Sequence, residues 1–307
     1  MQDQPERVLS TGLSPAKRES GGLSHVSGKT VVCGVIGDPV EHTMSPAMQN
    51  AAFRALGLDF AYVPFKVTRE ELRVAIAGMR ALNIRGLNIT IPHKVAVLPF
   101  LDSVDPLAKK IGAVNTIVSN GTTLTGYNTD AGGFIQPLLE RGFELRDSRV
   151  LVIGAGGAAR AVAFALIEGG ARVVVLNRTP DRAHELARHL SQHTPGRAEG
   201  GELNNDNLLE AMSNSVLVVN TTSVGMGTPE GQSPIPSAFL RRDILVYDIV
   251  YNPLKTRLIS EAQAAGCRTI AGAEMLAWQG ALAFERFTGI KAPIELMKQQ
   301  VVRSLTE

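Results

Sequence analysis

The sequence predicts an α/β protein of two domains, and three observations carry that reading. Strand-length apolar runs alternate with helix-length segments from Thr30 onward. The stretch Arg149 to Thr179, RVLVIGAGGAARAVAFALIEGGARVVVLNRT, holds a complete strand, glycine turn, helix and second strand. A chain of 307 residues also exceeds what one core of this kind needs.

In chain order, residues 1–29 are rich in Ser, Gly, Gln and charge without periodicity, and read as a flexible tail. Gly28-Lys29-Thr30 imitates the end of a phosphate-binding loop, but that loop needs a glycine where Leu23 stands, and no strand precedes it. Strands are expected at Val31 to Ile36, Phe60 to Val67 and Gly86 to Ile91, with helices at Pro46 to Leu56 and Glu70 to Leu82 between them. This is a βαβαβ unit. Helices at Lys94 to Leu101 and Pro106 to Ile111 and short strands at Val114 to Val118 and Thr122 to Gly126 complete the first domain. Asp130 to Arg141 reads as a helix crossing into the second.

There, Arg149 to Ile153 is a short apolar run bounded by glycine, as in a strand buried on both faces. A helix from about Ala158 to Glu168 stops at Gly169-Gly170. The next strand is Arg172 to Leu176, and Val216 to Val219, Ile244 to Ile249 and Arg268 to Ile270 supply others. The segment Gln192 to Glu202 carries no signal. Glu274 to Phe287 and Pro293 to Leu305 read as closing helices that return to the first domain. The expected division is 30–130 with 273–307 for one domain and 131–272 for the other.

Gly154, Gly156 and Ala159 fill the G-x-G-x-x-G/A positions of a Rossmann-type, doubly wound dinucleotide domain. The pattern gives a tight turn, bare backbone for a pyrophosphate, and a small residue for helix–strand contact. The helix amino end turns unpaired N–H groups toward phosphate. Where such folds place an acidic residue to grip the ribose, this chain has Asn177, Arg178 and Thr179, with Arg182 one helical turn on. A carboxylate would repel a 2′-phosphate and a guanidinium binds one, so the cofactor is read as NADP rather than NAD.

Composition narrows the function. Net charge is +2 and no basic cluster is interleaved with aromatics, so neither nucleic acid nor an anionic membrane is indicated. Cys33 and Cys267 are too far apart in sequence for a CxxC site, which suits a reducing cytosol. No apolar stretch approaches transmembrane length, and the first residues lack a signal-peptide core. His184-Glu185-x-x-x-His189 is one residue too long for the H-E-x-x-H zinc pattern, and His42 and His93 read as loop-shaping groups. The expectation is a cytoplasmic small-molecule enzyme without metal, monomer or homodimer.

Polar residues gather at the ends of the first domain's strands, where open α/β sheets bind ligands: Gly37-Asp38-Pro39 with His42 to Pro46, Asn88 to Lys94, Asn115-Thr116, and Asn128-Thr129-Asp130. Such groups suit a small substrate with several hydroxyls. The segments GDPVEHTMSP, GLNITIPHK, IGAVNT, GYNTD, GAGGAARA, NRT, NTTSVGM, DIVYNPLKT and MLAWQGALAFERFTG, in order over residues 34–297, resemble the shikimate/quinate dehydrogenase family. The resemblance implies an N-terminal substrate domain, an NADP-binding domain, and reversible reduction of 3-dehydroshikimate to shikimate. It makes Lys94 the catalytic lysine and Asp130 its carboxylate partner. It gives Asn88, Thr90, Asn115 and Gln279 to substrate hydroxyls, Thr43 and Ser45 to the carboxylate, and Tyr251 a place near substrate. It gives Gly154, Ala155, Gly156, Gly157 and Ala158 to the cofactor phosphates, and Asn177, Arg178, Thr179 and Arg182 to the 2′-phosphate. Thr221, Ser223 and Met226 fall in the loop near the nicotinamide, and Ile249, Gly272 and Met275 are also given to the cofactor. Two positions depart from the family pattern: Thr43 stands where Ser is usual and Gln49 where His is usual. A quinate or aminoshikimate dehydrogenase of the same fold is the alternative. The residues themselves agree on Lys94, because hydride transfer to a ketone leaves an alkoxide that needs a proton donor in reach.

Overall fold

The alternation in the sequence folds into two sheets of six strands each, in a computed structural model describing residues 26–192, 197–227 and 231–306. Most of the expected tail, residues 1–25, lies outside the described residues. The first sheet holds β1 (Val31–Gly37), β2 (Phe60–Lys66), β3 (Gly86–Ile89), β4 (Ser103–Val104), β5 (Thr116–Ser119) and β6 (Leu124–Tyr127), in the order β2-β1-β3-β5-β6-β4. β1 pairs in parallel with both β2 and β3, with Val35 opposite Asn88, so the strand order reverses there and a crevice opens beyond their carboxyl ends. β5 runs antiparallel to β3 and β6.

Helices α1 (Ser45–Ala55), α2 (Leu72–Ala81) and α3 (Pro106–Ile111) follow from this first part of the chain. Met48, Ala52 and Phe53 of α1 share one buried cluster with Tyr62, while Ile76 and Met79 of α2 share another with Leu87 and Ile89. The two clusters lie on opposite faces of a sheet whose strands are apolar on both sides.

The second sheet contains β7 (Arg149–Ile153), β8 (Arg172–Asn177), β9 (Ala198–Glu202), β10 (Leu217–Asn220), β11 (Leu245–Asp248) and β12 (Arg268–Ala271). Its order is β12-β11-β10-β7-β8-β9 and every pairing is parallel. This is the doubly wound dinucleotide order, with its switch point between β7 and β10. Around it lie α4 (Asp130–Glu140), α5 (Gly157–Glu168), α6 (Pro180–Ser191), α7 (Asn205–Asn214) and α8 (Arg257–Ala264).

The chain then returns. α9 (Gly272–Thr288) crosses α4 closely, where a Cβ on Gly133 would meet the Gln279 backbone nitrogen at 2.6 Å, and Arg141 clamps Glu274 through two hydrogen bonds of 2.9 Å. Its far end reaches the first sheet: Phe284 stacks on Phe53, and the Phe287 ring fills the space a Cβ on Gly86 would need. α10 (Ile294–Thr306) adds Met297 and Val301 to the same core. Elements of the two halves of the chain are thereby packed as neighbours.

One expected element is absent. Lys94 to Leu101 is not an α-helix but a run of turns ending in a 3₁₀ turn at Leu98–Phe100. Pro99 has no N–H for a helical bond, so after the Val97 N–H bonds to His93 O the ladder cannot continue. β4, β9, α7 and α8 carried no sequence expectation. β9 reads Ala-Glu-Gly-Gly-Glu and is fixed by pairing with β8; a Cβ on its Gly200 would meet the Ala183 carbonyl at 2.5 Å.

Candidate active site

The crevice beyond β1 and β3 is lined by the polar runs seen in the sequence. β3 leads into the turns that carry Lys94, and the first residue of α4 is Asp130. Lys94 Nζ donates to Asp130 Oδ2 at 2.6 Å, with side chains only 15% and 5% exposed. Asn115, just before β5, holds the other carboxylate oxygen: its Nδ2 donates to Asp130 Oδ1 and to Thr129 Oγ1, each at 2.9 Å. The Thr129 N–H donates to Asn115 Oδ1 at 2.7 Å, fixing that amide's orientation.

Behind Asn115, Thr116 Oγ1 donates to Asn115 Oδ1 at 3.1 Å and accepts from Asn88 Nδ2 at 3.0 Å. Asn88 Oδ1 accepts from the buried Tyr62 hydroxyl at 2.6 Å. Gln279 lies at the edge, with Oε1 3.5 Å from Asn115 Nδ2 and Nε2 bonded to Leu276 O at 2.9 Å. Thr90 is half-buried, and its methyl group occupies the space a Cβ on Gly37 would need.

At the start of α1 the Ser45 N–H donates to Thr43 Oγ1 at 3.3 Å. Thr43 is beside the Tyr251 phenol and Ser45 beside the Tyr62 phenol; burial raises both phenols above their ordinary range, and those hydroxyls offset it in part. Tyr251 follows β11, so the second sheet supplies a group to this end of the crevice.

At the carboxyl end of β7, Gly154 has φ +110°, and a Cβ there would meet Thr221 Oγ1 at 2.6 Å. Gly156 caps α5 with no side-chain hydrogen bond, and a Cβ on it would meet nothing within 4 Å. The turn therefore offers bare backbone and uncapped N–H groups to an anion, which fits a pyrophosphate. Ala155 and Ala158 flank it, half-buried.

A Cβ on Gly157 would sit 2.8 Å from Lys94 Cβ, so the glycine turn abuts the lysine of the crevice. Arg178 and Arg182 are exposed, with no ion-pair partner among the described residues. Asn177 Nδ2 donates to Thr179 O at 3.0 Å. Ser223 and Met226 are exposed on the loop after β10, while Thr221 is buried and donates to Ile153 O at 2.7 Å. Gly272 presses on the Ile249 carbonyl, and Met275 packs into the core cluster containing Tyr247 and Ile270. At the root of that loop, burial raises the Asp248 carboxyl above its usual range although Thr256, Val250 and Asn220 all donate to it.

Other reactive types are not part of this arrangement. Burial pushes the Cys33 thiol up to about 12. His93 is fully buried with Nε2 2.7 Å from Val67 O, and His42 is exposed. Among the described residues no three His, Cys, Asp or Glu side chains gather as a metal site. Sequence reasoning missed two side chains. Tyr62 lies in a strand that is apolar along most of its length, which gives its ring a sufficient packing role, so no signal marks its hydroxyl. Gln49, noted only as a departure, is fully buried and ties α1 to α9 by donating to Gly280 O at 2.8 Å.

Family models match three stretches of the chain. The shikimate dehydrogenase substrate binding domain matches residues 35–117, shikimate / quinate 5-dehydrogenase matches 137–226, and the shikimate 5′-dehydrogenase C-terminal domain matches 272–302. Shikimate dehydrogenase (NADP(+)) of Dehalococcoides mccartyi strain 195 is 48% identical over 274 residues, 89% of this chain and 96% of that relative. A crystal structure of shikimate dehydrogenase in complex with NADP⁺ superposes with TM-score 0.85 at 38% identity, over 94% of this chain and 100% of the other. The Thermus thermophilus enzyme in complex with NADP(H) and shikimate gives TM-score 0.80 at 41% identity, over 90% and 100%. Likeness of this extent, across both sheets and the crevice between them, makes the chain a member of the shikimate dehydrogenase family.

Proposed function

We propose that the protein is an NADP-dependent shikimate dehydrogenase interconverting 3-dehydroshikimate and shikimate, with Lys94 and Asp130 as its acid–base pair. The observation that carries this reading is the Lys94–Asp130 pair at 2.6 Å set directly against Gly157 of the phosphate turn. Bound NADP supplies hydride chemistry. Lys94 donates a proton to the carbonyl oxygen as it becomes an alkoxide, and takes it back in the other direction. Asp130, held by Asn115, keeps the ammonium aimed. Residues 30–130 with 273–307 form the substrate-binding domain and residues 131–272 the NADP-binding domain.

On the substrate, Thr43 and Ser45 hold the carboxylate beside Tyr251, and Asn88, Thr90, Asn115 and Gln279 meet ring hydroxyls. On the cofactor, Gly154 to Ala158 face the pyrophosphate, and Asn177, Arg178, Thr179 and Arg182 the 2′-phosphate. The loop with Thr221, Ser223 and Met226 flanks the nicotinamide, and Ile249, Gly272 and Met275 complete the cofactor site.

The test follows nicotinamide absorbance with shikimate and with quinate, each with NADP and with NAD. The expected result is that shikimate with NADP is the best pair; no turnover of any pair would end the proposal. The same assay checks the one unusual carboxylate residue. Thr43 keeps a hydroxyl, but its methyl group and stiff χ1 narrow the space beside the carboxylate. Quinate carries a hydroxyl on that ring carbon where shikimate has a double bond. One methyl group in a tight pocket is worth about 10–200-fold in discrimination, so shikimate is favoured and Thr43→Ser raises relative kcat/KM on quinate. Unchanged ratios would show that the methyl group does not reach the substrate.

A further inference from the structure

The second sheet carries a buried carboxyl group that the acid–base pair does not use. Asp248, the last residue of β11, is wholly buried, and no basic side chain pairs with it among the described residues. Three donors converge on it: Asn220 Nδ2 at 3.0 Å and the Val250 N–H at 3.1 Å meet Oδ1, and the Thr256 hydroxyl at 2.6 Å meets Oδ2. Backbone groups fix two of these partners. The Thr222 N–H can only donate; it points at Asn220 Oδ1 at 3.0 Å and so turns Nδ2 toward Asp248. The Ile259 N–H donates to Thr256 Oγ1 at 3.2 Å as part of the amino-terminal cap of α8, which leaves the hydroxyl hydrogen for Asp248.

Each partner leads into a wall of the site. Asn220 ends β10 opposite Asp248 in the sheet register, and the loop that follows is wound on its amide. Its Nδ2 also donates to Val224 O at 3.2 Å, its Oδ1 also accepts from the Thr222 hydroxyl at 2.7 Å, and Thr222 Oγ1 accepts from the Val224 N–H at 3.1 Å. This loop carries the exposed Ser223 and Met226. In the other direction, Val250 and Thr256 bracket Tyr251, whose phenol is beside Thr43. The two walls also meet directly: the Gly227 N–H donates to Asn252 O at 3.1 Å, and a Cβ on Gly225 would lie 3.7 Å from Thr256 Cβ. Burial raises the Asp248 carboxyl above its usual range, and with no cation beside it the site draws on its lone pairs rather than on its charge.

We propose that Asp248 is a positioning residue for hydride transfer: it holds the loop of Ser223 and Met226 and the segment of Tyr251 on one support, so that the nicotinamide and the substrate carboxylate keep a fixed separation. It touches neither ligand. The inference rests on the reading of the protein as an NADP-dependent shikimate dehydrogenase.

The test is the single-turnover rate of NADPH oxidation by saturating 3-dehydroshikimate in the intact enzyme, expressed per site that binds adenosine 2′,5′-bisphosphate, a fragment with the 2′-phosphate and no nicotinamide. Asp248→Ala is expected to lower that rate by about tenfold to 10²-fold, the scale of loss from a small misplacement of reacting groups, while the Kd of the bisphosphate stays within about twofold. Asp248→Asn keeps an oxygen for Asn220 and Val250 and offers its amide to Thr256 Oγ1, so its rate is expected within about threefold of wild type. Thr222→Val cuts the loop from Asn220 at a half-buried position and leaves Asp248 in place, so it is expected to repeat the alanine pattern and carries the test if Asp248→Ala does not fold. In the double variant the two losses do not multiply, because both act through the Asn220 amide. A merely structural carboxyl would reduce the number of bisphosphate sites and leave the rate per site unchanged. That result, a Thr222→Val rate equal to wild type, or losses that multiply would each overturn the proposal. Wild-type turnover with NADP and shikimate judges the assigned activity by itself, so failure of the positioning role and failure of that activity are distinct results.

Discussion

Replacing Lys94 by alanine is expected to lower kcat by about 10²–10⁴-fold, the usual contribution of a positioned general acid or base, with KM for shikimate and for NADP changed little. The split follows from where the lysine acts. Its ammonium meets an oxygen that becomes strongly basic only as hydride arrives, so its stabilisation belongs to the transition state more than to the bound ground state. The variant should also fold. Lys94 lies in an irregular turn, and no apolar cluster depends on it. Removal leaves Asp130, only 5% exposed, with its Asn115 bond but without its counter-ion, so some loss of stability accompanies the loss of rate. Steady-state kinetics in both directions, with thermal unfolding as a control, check this. A loss under about tenfold would remove Lys94 from the chemistry.

The second large effect is on cofactor choice. Arg178→Ala should weaken NADP much more than NAD, because only NADP has a 2′-phosphate for the guanidinium. Charge-assisted hydrogen bonds are worth roughly 1.5–3 kcal/mol, so the preference for NADP over NAD should fall by about ten- to a hundredfold. Arg178 and Arg182 are exposed beyond β8 and engage no carboxylate among the described residues, so their charge is free for a ligand and the fold does not need them. Adding Arg182→Ala should deepen the loss for NADP alone. Competition titrations of both cofactors measure it, and equal losses for NADP and NAD would make Arg178 a structural residue.

Much of this was legible in the sequence because the local signals and the tertiary demands coincide. β7, α5 and β8 declare themselves, since strands buried on both faces must be apolar and a backbone approached by phosphate must be bare. The polar runs at Asn88, Asn115 and Asn128 to Asp130 interrupt apolar sequence at strand ends, and those ends meet in one crevice. β9 was invisible because its sequence has no alternation to read; only the edge of β8 and the close approach of α6 make it a strand. The helix expected at Lys94 to Leu101 failed at Pro99, whose backbone effect outweighs the apolar spacing around it. Tyr62 was hidden by its own ring, which justifies its place in the core before its hydroxyl is considered. The orientations of Asn88 and Asn115 belong to no sequence pattern, because backbone groups of other residues impose them.

The Lys94–Asp130 pair is the centre of the account, and Asp130→Asn probes it with almost no change of shape. An asparagine there faces two donors, Lys94 Nζ and Asn115 Nδ2, with one oxygen and one amide, so one side must oppose donor to donor. The direct measurement is single-turnover decay of NADPH absorbance when the enzyme–NADPH complex is mixed with saturating 3-dehydroshikimate, in wild type and in Asp130→Asn. The pair predicts a rate lower by about 10²-fold or more in the variant, with the amplitude of one turnover preserved. A variant that decays at the wild-type rate would show that the charge beside Lys94 takes no part in the reaction.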